Sequence, residues 1–201
     1  MTSVSFVLGN GTSRKDISLD SLKDVGTTYG CNALYRTFSP RYLISVDSKM
    51  VHEINNAGYQ QKHSVWTNYK EEYKNLDGFN YFKEAKGWSS GPTALWLASH
   101  HMYDTIFMLG FDFIGLDGNI NNLYAGTPNY LDTDASETYY ENWINQTSTV
   151  IKENPQTSYI RVKDNNFVSK KLSSFINYKE EFINTFRERI FKAGEVNGIR
   201  K

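Results

Sequence analysis

The sequence predicts an α/β protein in which helices cover both faces of a largely parallel sheet. Three observations lead there: short apolar runs rich in β-branched and aromatic residues recur along the chain, helical patterns separate them, and several runs end in Gly, Asn or Asp. Strands that alternate with helices over most of a chain build parallel sheets, because each parallel return needs a crossover. With 201 residues there is enough chain for one domain with a full core, so a single domain over residues 1–201 is expected.

In order, Val4–Leu8, 42–46, 64–66, Thr105–Leu109 and 159–162 read as strands. Helical patterns fall at about 18–24, 48–57, 93–102, 137–153 and, longest, 172–193. In the last of these, Phe175, Phe182, Phe186 and Ile190 recur at helical spacing while charged residues occupy the remaining positions, which predicts a helix packed on the sheet. Two stretches differ. Residues 69–88 are polar and aromatic without a clean period, and 114–135 are rich in Gly, Asn and Asp with Pro128. A loop as long as the second is usually functional, and it reads as a flap over the site.

Basic and acidic residues balance at 22 each, so no global field draws the chain to nucleic acid or an anionic membrane. Cys31 is the one cysteine, which excludes an internal disulfide, a cysteine-rich zinc site and a CxxC redox pair. It has no recognisable histidine partner, so a nucleophilic role is not indicated. No run approaches the roughly 18 apolar residues of a membrane span, and the first residues lack the pattern of a signal peptide. A soluble, cytoplasmic protein is therefore expected, with a homo-oligomer left open.

In folds of this class ligands bind beyond the carboxyl ends of the strands. The candidate site residues are the ones placed there. Val4–Leu8 runs directly into Gly9, Asn10, Gly11, Thr12 and Ser13, a turn of the kind that brings backbone N–H groups against a phosphate. The same turn also serves as a plain strand-to-helix connection, and it is neither a complete GxGxxG nor a Walker A loop. Ser89, Ser90, Gly91 and Pro92 open an apolar helical stretch, as a simple cap or as an anion site. Asn32, Asp47 and Asp112 follow further apolar runs, each able to bind a ligand hydroxyl or cation or merely to finish a turn. His52, His63, His100 and His101 show no metal-ligand spacing, and no metal site is expected.

Taken in order, Val7-Leu8-Gly9-Asn10-Gly11-Thr12-Ser13, Gly30-Cys31-Asn32-Ala33-Leu34-Tyr35, Ser89-Ser90-Gly91 and Leu109-Gly110-Phe111-Asp112-Phe113 resemble the bacterial lipooligosaccharide sialyltransferases. Those carry a GNGPS loop, an RCNxFY segment, a TSG helix start and a GxDF strand end, matched here over about residues 4–130. A related resemblance runs to 6-hydroxymethylpterin pyrophosphokinase-like domains, and small tailed-phage proteins look similar. The resemblance implies a Rossmann-like three-layer sandwich that binds a CMP-type nucleotide sugar without a metal cofactor and transfers the sugar to a hydroxyl acceptor. Gly9, Asn10, Gly11, Thr12, Ser13, Asn32, Asp47, Ser90 and Gly91 would then hold the nucleotide, and Tyr124 would stabilise the departing phosphate.

Two departures bear on this. Thr12 stands where that family has proline, and no histidine occurs after His101 to take the acceptor proton, which leaves Asp112, Asp132, Asp134 or Glu137 as substitutes. Two other readings follow: a phosphotransferase that binds magnesium and ATP through Asp47 and Asp112, or a phage structural or interaction protein that kept the sheet and lost the chemistry.

Overall fold

The structure, a computed structural model, describes residues 3–137 and 140–196. Its strands are β1 (Val4–Leu8), β2 (Thr27–Cys31), β3 (Tyr42–Ile44), β4 (Val65–Asn68), β5 (Phe79–Phe82), β6 (Thr105–Leu109), β7 (Ser158–Lys163) and β8 (Tyr178–Phe182). The helices are α1 (Asp20–Lys23), α2 (Ser48–Asn56), α3 (Ser90–His100), α4 (Glu141–Glu153) and α5 (Ile183–Val196). The eight strands form one sheet in the order β5-β4-β3-β2-β1-β6-β7-β8, and every pairing is parallel.

The sheet is buried on both faces, as a parallel sheet requires. Period-two alternation sorts its side chains. Val7, Ile106 and Met108 pack with Ala94, Leu95 and Ala98 of α3 and with Ile144, Val150 and Ile151 of α4. Phe6, Leu8, Phe107 and Leu109 pack on the opposite face with Leu22 of α1, Met50 and Ile54 of α2, and Phe186 and Ile190 of α5. The result is the expected Rossmann-like three-layer sandwich. Each fully buried apolar side chain contributes about 1.5–3 kcal/mol relative to exposure. No helix among the described residues is long and apolar enough to cross a membrane.

Three strands lie outside the expected set, each for a physical reason. β2 reads Thr-Thr-Tyr-Gly-Cys, and its glycine and threonines weaken the strand signal. β5 pairs with β4 inside the aromatic 69–88 stretch. The largest correction is at 172–193, where the expected single helix divides into β8 and α5. Asn177 Nδ2 lies 3.1 Å from each of the Ile151, Asn154 and Thr157 carbonyls and anchors the start of β8. Glu180 then pairs in register with Arg161 of β7. Phe175 and Phe186 belong to cores on opposite faces of the sheet, so the helical spacing was coincidental. The 137–153 helix begins at Glu141, and its expected residues 138 and 139 lie outside the described residues. α3 begins at Ser90, earlier than expected.

The strand order sets the position of the site. From β1 the chain steps outward through β2 to β5, then returns to the other flank of β1 with β6. The carboxyl ends of β1, β2 and β6 therefore face a topological switch point, where open α/β sheets leave a crevice.

Candidate functional site

A cavity of about 260 Å³ occupies that crevice. One of its sides is built by β1 and β6, whose backbones stay in contact past the strand ends. Gly9 N–H donates to Leu109 O (2.8 Å) and Gly11 N–H to Gly110 O (3.0 Å). A Cβ on Gly9 would stand 2.5 Å from Gly110 O, and one on Gly11 would stand 2.5 Å from Asp112 Oδ2. Glycine is needed here for close approach. Thr12 N–H donates to Asn121 Oδ1 (2.8 Å) and Ser13 N–H to Asp112 Oδ2 (3.0 Å), while the Ser13 hydroxyl donates to Asp112 Oδ1. The N–H groups of residues 9, 11, 12 and 13 are thus engaged within the protein.

Arg161 supports this side from beneath. Its guanidinium, fully buried, donates to Phe111 O (2.7 Å), Asp112 O (2.8 Å) and Phe167 O (3.0 Å) and pairs with Glu180 (3.0 Å). It also lies 5.5 Å from the ring centres of Phe113 and Phe167. These bonds hold a turn in which Gly110 (φ 69°) and Phe113 (φ 56°) are both left-handed.

The facing side joins β2, β3 and α3 through Asn32, itself left-handed at φ 51°. Its Oδ1 accepts from the hydroxyls of Ser45 (3.1 Å) and Ser90 (2.8 Å), which orients its Nδ2 to donate to Asp47 Oδ2 (3.2 Å). Ser90 Oγ also accepts from Val46 N–H (3.1 Å). Ser89 precedes α3 in an extended conformation, and no side chain caps the helix. The N–H groups of Ser90 and Gly91 consequently have no acceptor among the described residues, and Pro92 has none to offer. A Cβ on Gly91 would meet the Phe111 ring at an ordinary 3.7 Å.

An apolar wall completes the cavity. Phe111, Phe113, Tyr140 and Trp143 line it beside Asn121 and Asn122. Trp143 Nε1 donates to Ser89 Oγ (2.8 Å), and its ring meets Tyr140 edge to face at 5.3 Å. Cys31 also lines the cavity, but burial pushes its thiol up to about 12, with the Arg14 charge opposing, so it is no nucleophile. Among the described residues no three His, Cys, Asp or Glu side chains are grouped to hold a metal ion.

The fold is similar to that of a known glycosyltransferase. The solved structure of the MAf glycosyltransferase from Magnetospirillum magneticum AMB-1 superposes with a TM-score of 0.55 at 11% identity, covering 98% of this chain. This chain spans 37% of that one. At such identity the likeness is one of fold. No protein-family description and no curated protein matches the sequence.

Of the candidate residues, the structure gathers Gly9, Asn10, Gly11, Asn32, Asp47, Ser90, Gly91 and Asp112 around one cavity. Three candidates fall elsewhere. Thr12 and Ser13 turn away into the bonds described above. Tyr124, within the 114–135 loop, is 7% exposed, packs in the core and shares a hydrogen bond with Thr37 Oγ1 (2.9 Å). That loop presents Tyr130 instead, whose hydroxyl accepts from Asn10 Nδ2 (3.2 Å) and Ala33 N–H (3.3 Å). Further bonds tie the loop down: Leu123 N–H donates to Asn10 O (2.8 Å), and Arg36 reaches Thr127 Oγ1 and Pro128 O (2.8 Å each). Of the carboxylates named as substitute bases, Asp112 is engaged by Ser13, Asp132 and Asp134 are exposed away from the cavity lining, and Glu137 Oε2 accepts from Gly115 N–H (3.1 Å).

Sequence reasoning missed the wall residues Tyr140 and Trp143, the loop residue Asn121 and the buried Arg161. Trp143 left a usable signal. A tryptophan near the start of a polar helix is a large side chain in need of a partner.

Proposed function

We propose that the cavity binds a nucleotide sugar of the CMP type and that the protein transfers the sugar to a hydroxyl acceptor. The observation that carries this reading is the convergence at the switch point of two open α3 amides, the Asn32 and Asp47 side chains and an aromatic wall. Each element matches a part of the ligand. A phosphate suits the unpaired N–H groups of Ser90 and Gly91, which lie at the positive end of the α3 dipole. A flat pyrimidine suits the Phe111 and Trp143 side, where Asn121 and Asn122 add amide donors and acceptors. At about 260 Å³ the cavity is close to the lower bound of about 300 Å³ for ordinary ligand pockets. It therefore suits one mononucleotide, with the sugar extending into the adjoining space past Asn32 and Asp47. The likeness to a glycosyltransferase fold supports the same reading.

Calorimetric titration with CMP, UMP, GMP and AMP tests it. Saturable binding at one site, tightest for CMP, is expected without added metal, and silence toward all four at millimolar concentration would remove the ligand class. The phosphotransferase reading requires Asp112 to leave Ser13 for a magnesium ion, and so needs a rearrangement that the nucleotide-sugar reading does not.

A further inference from the structure

Glycosyl transfer to a hydroxyl requires a group that removes the acceptor proton. None of the four histidines lines the cavity. His63 stacks on Tyr59, His100 lies against Trp96, His101 lies against Tyr29 and Tyr42, and His52 of α2 meets Tyr73 edge to face. Two carboxylates line the cavity, and their surroundings differ. Asp112 is 4% exposed with both oxygens held by Ser13. Asp47 is exposed, its Oδ2 receives Asn32 Nδ2, and its Oδ1 has no partner among the described residues.

Asp47 is also placed between two compartments. A second cavity, about 320 Å³, adjoins the first and is lined by Asn32, Asp47, Lys49, Asn129 and Tyr130 among others. Asn32 and Asp47 line both. On the nucleotide-sugar reading, a donor whose nucleotide fills the first cavity and whose sugar extends into the second would pass Asn32 and Asp47.

We propose that Asp47 is the general base of this site, with Asn32 as the positioning residue that fixes its carboxylate; the inference rests on the nucleotide-sugar reading. In the step, the acceptor O–H gives its proton to Asp47 Oδ1 while the acceptor oxygen forms a bond to the anomeric carbon. The bond from that carbon to the phosphate oxygen breaks, and its electron pair leaves with the nucleotide. With water as acceptor the same step is hydrolysis of the donor. The hydroxyls of Ser45 and Ser90 fill Asn32 Oδ1, so Nδ2 stays directed at Asp47 Oδ2 and Asp47 Oδ1 is left without a partner among the described residues.

The test measures nucleotide binding by calorimetry, and nucleotide release from CMP-N-acetylneuraminic acid, UDP-N-acetylglucosamine and GDP-mannose with water or lactose as acceptor. Wild type, Asp47→Asn and Asp47→Ala are compared. Asp47→Asn keeps the shape and a bond to Asn32, so it is expected to bind nucleotide within about threefold of wild type while kcat falls about 10²- to 10⁴-fold. Added formate is expected to restore part of the turnover of Asp47→Ala, which a merely structural role would not allow. Full turnover by Asp47→Asn, a rise in KM alone, or nucleotide binding without turnover by the wild type would each overturn the assignment and leave nucleotide recognition standing. Absence of binding and turnover in the wild type would overturn the nucleotide-sugar reading and the base with it.

Discussion

The two sides of the cavity begin from similar sequence and end in opposite states. Gly9-Asn10-Gly11 after β1 and Ser89-Ser90-Gly91 at the start of α3 are both small polar segments that lead into helical conformation. In the first, the N–H groups of residues 9, 11, 12 and 13 have protein acceptors, and an added Cβ at Gly9 or Gly11 would collide with the Gly110–Asp112 segment. In the second, two N–H groups are open, and a Cβ at Gly91 would find room. The difference teaches that a glycine turn can serve a site in two ways. Gly9 and Gly11 let two strand ends approach closely, and Gly91 stands beside amides left open at the start of a helix.

Substitutions break or sharpen this contrast. The largest effect is expected at Arg161, because Arg161→Met removes three bonds to main-chain carbonyls and one ion pair from a fully buried position. Urea unfolding is expected to show a loss of about 3–5 kcal/mol. A loss below 1 kcal/mol would mean that the β6 side does not depend on it. Gly11→Ala forces a Cβ against the Asp112 carboxyl and the Gly110 carbonyl and should cost about 1–3 kcal/mol. Asp112→Asn should cost about 2 kcal/mol, since Ser13 donates to both oxygens of the carboxylate. Gly91→Ala is the counterpart on the open side. It should change stability by less than about 0.5 kcal/mol yet weaken nucleotide binding measurably in calorimetry, and equal damage from both glycine variants would erase the distinction.

The smallest effect concerns the segment 124–130, fastened to α2 by Arg36 and Glu53. Burial pushes the Glu53 carboxyl up, but hydrogen bonds from Arg36, Tyr35 and Asn129 outweigh it and hold its pKa at about 2. A carboxylate depressed in the folded state stabilises the fold above its unfolded pKa of about 4.3, and that contribution is lost as pH falls toward the folded value. The melting temperature of the wild type should therefore drop between about pH 4.5 and pH 2 more than that of Glu53→Gln. Parallel curves would show that this tether does not contribute.

Much of this architecture was legible in the sequence because local pattern and tertiary role agree. The β1 and β6 runs are buried on both faces and read as mostly apolar strands, and Asp47 sits just past the end of β3. Other parts depend on partners distant along the chain. β8 carries Lys179, Glu180 and Glu181 and becomes a strand because Arg161 and Lys163 stand beside it, at 3.0 and 2.6 Å from Glu180. Arg161 within an apolar strand gives no local sign that its target is a pair of carbonyls 49 and 50 residues upstream. Tyr124 and Tyr130 lie in the same loop, and a motif match cannot tell which phenol the loop folds inward. Nor does a glycine turn announce whether its amides are open, since that depends on Asn121 and Asp112 reaching across from another segment.

A crystal structure with CMP bound would test the central claim most directly. The account predicts the phosphate within hydrogen-bond distance of the Ser90 and Gly91 N–H groups, with the Ser13 to Asp112 bonds unchanged. A phosphate seated on the N–H groups of residues 11–13, with Asp112 displaced, would contradict it.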